Sequence, residues 1–69
     1  MTHTRPVPYL GMPVQVVHLG RTHDAIVDEV RDGGRTLVVE GVAYTLRRLT
    51  GEHVAEGQPY YGVRLVLEP

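Results

Sequence analysis

With 69 residues, seven basic and eight acidic side chains and no cysteine, the chain has room for one small domain and no disulfide to staple it. The near-neutral balance argues against a dedicated nucleic-acid binder. No apolar run approaches the roughly 18 residues of a membrane span, and Met1-Thr2-His3-Thr4-Arg5-Pro6 lacks the apolar centre of a secretory signal.

Residues 1–8 read as a loose, proline-bearing leader, because Pro6 and Pro8 favour extended backbone. Residues 9–69 read as one domain. Its first strand is Val14-Gln15-Val16-Val17-His18, followed by a loop over Leu19–His23. A second strand covers Asp24 to Arg31. Ala25 and Val27 share a face there, and a bulge at Asp28-Glu29 returns Val30 to the core side. The competing assignment is a short helix over the same residues. Asp32-Gly33-Gly34 makes a hairpin turn into Arg35–Val39, and Glu40-Gly41 makes the next, since glycine supplies positive φ without steric cost. Val42–Arg48 alternates cleanly, placing Val42, Tyr44 and Leu46 inward and Ala43, Thr45 and Arg47 outward.

From Leu49 to Pro59 the alternation fades. A short strand at Glu52-His53-Val54 or a continuous loop both fit. The last strand is Tyr60 to Leu67, with Tyr61, Val63, Leu65 and Leu67 on one face, Arg64 opposite, and Gly62 marking a bulge or a close approach by another backbone or a ligand. The sum is an all-β domain of five or six short antiparallel strands that must close or pair to hide their edges.

The stretch from Gly11-Met12-Pro13-Val14 through Asp24-Ala25-Ile26-Val27-Asp28-Glu29-Val30, with two tight hairpins after it, resembles the opening of SH3-like small barrels. The resemblance covers about residues 11–48. It implies such a barrel and transmits no function of its own.

Chemistry is sparse. Every basic residue is arginine, which codon usage in a GC-rich genome explains better than selection for a bidentate anion binder. His18, His23 and Asp24 are too few and too unspecific for a zinc site, and no cofactor or metal is implied. Without cysteine or serine there is no standard nucleophile, so no enzymatic activity is expected. Tyr60 and Tyr61 point to opposite faces, and exposed tyrosine beside arginine is the mix enriched at binding hot spots. The expected contact surface for a protein partner is therefore Tyr60, Tyr61 and Arg64, with Arg47 and Arg48 beside them.

Two alternatives stand next to it. One is nucleic-acid contact through Arg31, Arg35, Arg47 and Arg48, although Asp28, Glu29, Asp32 and Glu40 in the same hairpins favour surface ion pairs instead. The other is a small-ligand or regulatory site at a barrel mouth with His18, His23 and His53 as pH-sensitive groups. Missing cysteine and signal point to the cytoplasm, and the small core makes a homodimer reasonable.

Overall fold

The computed structural model describes residues 7–55 and 62–67. These form strands β1 (Pro13–His18), β2 (Arg21–Ile26), β3 (Glu29–Arg31), β4 (Thr36–Val39), β5 (Val42–Leu46), β6 (His53–Ala55) and β7 (Arg64–Leu67), with a single 3₁₀ turn at Asp32–Gly34. The domain is all-β. Its one sheet has the order β2-β1-β7-β6-β5-β4-β3, every neighbouring pair antiparallel.

The two edge strands of this sheet, β2 and β3, are consecutive in the chain, so the sheet has to curl. The hinge is Val27-Asp28. The Val27 N–H donates to the Met12 carbonyl at 3.0 Å on the β1 side, and the next N–H, that of Asp28, donates to the Val38 carbonyl at 2.8 Å on the β4 side. One ladder ends and the other begins within one residue. The stretch expected as one bulged strand is thus two strands, and the count is seven rather than five or six. The break solves the packing problem that the bulge was meant to solve: Val27 is buried and Val30 packs against the core. No helix forms there.

The core is the inward face of the curl: Met12, Val14, Val16, Val27, Leu37, Val39, Tyr44, Ala55, Val63 and Leu65. Alternation puts them there, as in β4, where Leu37 and Val39 are buried between half-buried Thr36 and Val38. Tyr44 is 2 % exposed, as the pattern in β5 predicts.

Local boundaries differ from expectation in four places. His23 lies on β2 opposite Val16, not in a loop, because Leu19-Gly20 alone makes the turn. β5 stops at Leu46, so Arg47 and Arg48 fall in the turn that follows. A strand does form at His53–Ala55, pairing with β5 and β7. Gly62 has φ +87° and sits in a turn before β7 rather than as a bulge within it. In the leader, Val7 is exposed, while Pro8 is half-buried with its ring beside Gly34. Residues 1–6 lie outside the described residues. No helix among the described residues is long and apolar enough to cross a membrane.

Candidate functional site

The expected contact surface divides in the structure. Tyr60 and Tyr61 lie outside the described residues. Arg64 is on the outer face of β7, where its Nη1 donates to Glu52 Oε2 at 2.8 Å. Arg47 and Arg48 leave the end of β5 into an exposed turn and make no ion pair among the described residues.

That turn is braced by backbone. The Arg47 N–H donates to the Glu52 carbonyl at 2.8 Å, and the Gly51 N–H donates to the Arg47 carbonyl at 2.8 Å. Gly51 has φ +73°, which lets the chain reverse there. The Glu52 N–H donates to Thr50 Oγ1 at 3.3 Å. Held at the tip is Leu49, fully exposed at 101 %. Sequence reasoning passed over Leu49. Its signal was an apolar residue outside any alternation, between Arg48 and a Thr-Gly turn.

Arg35 joins this end of the domain. Its carbonyl accepts from the Leu46 N–H at 2.8 Å, placing it one residue from Arg47 across the ladder. It too is exposed and unpaired among the described residues. Arg31 does not join. It binds Glu29, two residues earlier on the same face of β3, through both Nε and Nη2. The hydrogen bond from Arg31 holds the Glu29 carboxyl below its ordinary range, and the same bond raises the Arg31 guanidinium. The four arginines weighed for nucleic acid therefore separate into three guanidiniums without an ion pair among the described residues and one engaged in a surface pair.

The histidines separate as well. His18 and His23 line one opening of the curl, a groove of about 310 Å³ shared with Arg21, Glu40 and Tyr44. His23 Nε2 lies 2.7 Å from Glu40 Oε1 there. His53 is buried and faces the other opening, a groove of about 640 Å³ walled by Pro8, Leu46, Leu65 and Leu67 with Arg35 at its rim. The three do not share a mouth, because His53 reaches inward from the opposite end of the sheet. Glu52 precedes β6 and its carboxylate is held by Arg64, while His53 Nε2 lies at the Gly34 carbonyl, so the two are engaged with different partners. Among the described residues, no group of three or more His, Asp or Glu is placed to hold a metal ion.

These elements define an all-β domain with one curled sheet and an arginine-bearing turn at one end. No family model, curated protein or solved structure matches the chain.

Proposed function

We propose that this chain is a non-catalytic interaction module of SH3-like barrel character that binds an acidic protein segment at the turn between β5 and β6. The observation that carries this reading is the exposed set Arg47, Arg48 and Leu49 on a turn fixed by three hydrogen bonds. Unpaired guanidiniums lose no existing ion pair when they bind carboxylates bidentately. A fully exposed leucine beside them gives an apolar anchor, and a rigid turn has little ordering entropy left to lose. Arg64, already held by Glu52, serves as a rim residue that exchanges partners.

Titration with a synthetic peptide alternating Glu and Leu tests the reading. Backbone amide shifts centred on residues 46–52, and affinity reduced about tenfold in Arg47→Ala/Arg48→Ala, are expected. Unchanged affinity in that variant would refute it.

The approach of Arg35 to Arg47 favours nucleic acid as the second reading. Three phosphate contacts give a slope of log affinity against log salt of about −2 to −3. A single-stranded oligonucleotide bound with that slope, in competition with the acidic peptide, favours nucleic acid. A flat salt dependence removes it.

A further inference from the structure

The outer edge of β2 is an open pairing surface. Hydrogen-bonded residues recur every second position along an antiparallel ladder. The Val27 N–H and carbonyl both bond toward the β1 side, to Met12 and Gly11. By the β1–β2 register, Ala25, His23 and Arg21 do the same, so the N–H and carbonyl groups of Thr22, Asp24 and Ile26 face away from β1. No strand pairs with them among the described residues. Ile26 is 57 % exposed on this edge. Open edges are normally covered or blunted, because a free row of donors and acceptors templates another strand.

Beside the edge runs a groove of about 570 Å³, with Asp24, Ala25 and Ile26 on one wall and Asp28 and Glu40 on the other. It opens where the chain leaves β1 for β4 at Val27-Asp28. Every charged side chain lining it is a carboxylate.

We infer that β2 accepts an extended, basic peptide segment as an added strand, with a Lys or Arg opposite Asp24 and an apolar side chain opposite Ile26. Main-chain bonds to Thr22, Asp24 and Ile26 supply affinity, and the alternate side chains supply selectivity. Directly opposed residues of an antiparallel pair share a face, and opposite charges there attract. A second copy is a poorer occupant. The two-fold pairing that overlaps β2 most fully and uses these same backbone groups sets Asp24 against Asp24, which repels. This surface differs from the arginine-bearing turn in place and in the charge it selects, so either can fail without the other.

The test uses the full chain and a ten-residue peptide repeating Lys-Thr-Val-Thr, which sets Lys and Val two residues apart on one face and is called the Lys–Val peptide, with the corresponding Glu–Val and proline-interrupted Lys–Val peptides as controls. The expected result is slowed amide exchange at Thr22, Asp24 and Ile26 on saturation with the Lys–Val peptide alone. Asp24→Lys should weaken binding about tenfold. Thr22→Pro, which removes an outward N–H and leaves the β1 ladder intact, should weaken it too, and the exchange measurement on the unmodified chain stands if either variant fails to fold. Absent protection, equal protection of these three amides by the Glu–Val peptide, or shifts with the Lys–Val peptide confined to residues 46–52 would overturn the inference. So would protection of the three amides in the protein alone, which assigns the edge to the chain itself or, where it grows with concentration, to a second copy.

Discussion

His53 Nε2 lies 2.8 Å from the Gly34 carbonyl, inside the domain, joining β6 to the 3₁₀ turn after β3. A carbonyl only accepts, so Nε2 carries the proton and donates. His53 is the single buried polar residue of the described part, at 5 % exposure, and buried polar groups are costly unless bonded. His53 is thus a core residue that satisfies a turn carbonyl, and its role is structural.

His53→Ala should destabilise the domain by about 2–4 kcal/mol, since it strands the Gly34 carbonyl and opens a cavity. His53→Gln can present an amide N–H to the same oxygen and should recover part of that. Urea unfolding of the three proteins measures it. Equal midpoints for the alanine and glutamine variants would show that the hydrogen bond contributes nothing beyond volume.

Gly34 is constrained from a second side. Its φ is +102°, and a methyl group built on it would lie 3.3 Å from Pro8 Cδ. Gly33, with φ +67°, has open space around it. Gly33→Ala should therefore cost about 1 kcal/mol of left-handed strain. Gly34→Ala should cost more, because Pro8 must also move. In a Pro8→Ala background the excess should shrink, and a double-mutant cycle reads that coupling directly. Additive effects of Pro8→Ala and Gly34→Ala would mean that Pro8 does not rest on this turn in solution.

The strand pattern was legible because alternation is a local property. Val14 and Val16, Leu37 and Val39, Val63 and Leu65 are buried as their spacing demands. What the sequence hid was pairing. Nothing local to Ala25–Val30 says that Val27 bonds Met12 while Asp28 bonds Val38. That handover depends on where β1 and β4 lie, and it turns one expected strand into two. The site suffered for the same reason. Whether Arg31, Arg35, Arg47 and Arg48 act together depends on which carboxylates the sheet brings beside each. Glu29 claims Arg31, and no described carboxylate pairs with the other three.

Asp28 completes the handover with its side chain. Its Oδ2 accepts from the Glu40 N–H at 2.9 Å, just past the end of the β3–β4 ladder. Asp28→Ala leaves that N–H to water and should lower stability by about 1 kcal/mol. Asp28→Asn keeps an acceptor oxygen and should lie nearer to the unmodified protein. The diagnostic readout is amide exchange at Glu40, which should quicken in the alanine variant before exchange in the core does. Unaltered exchange there would remove Asp28 from this role.

Leu19 occupies the left-handed region at φ +50° beside Gly20 at +77°, and it is 89 % exposed. Two such residues between His18 and Arg21 form the two-residue hairpin turn that best fits strand twist. Leucine is poorly suited to that conformation and buries little in exchange. Leu19→Asn should raise stability by about 0.5–1 kcal/mol, a gain of several degrees in melting temperature for a domain of this size. A lowered melting temperature would indicate that Leu19 is covered in solution.

The Glu29–Arg31 pair sets an acid-side dependence with a defined sign. The hydrogen bond from Arg31 lowers the folded-state pKa of Glu29. The unfolded chain therefore takes up the proton first as pH falls, and protonation favours unfolding. The contribution is fully present above the ordinary glutamate value of about 4.3 and is lost as pH drops through the folded value. Both side chains are about half exposed, so the effect is small and screened by salt. Glu29→Gln should leave stability near pH 7 almost unchanged and flatten its decline below about pH 4.3. Denaturant midpoints at pH 3, 4 and 7, in low and high salt, measure this. A steeper decline at low pH in the glutamine variant would reverse the sign and exclude the pair as its source.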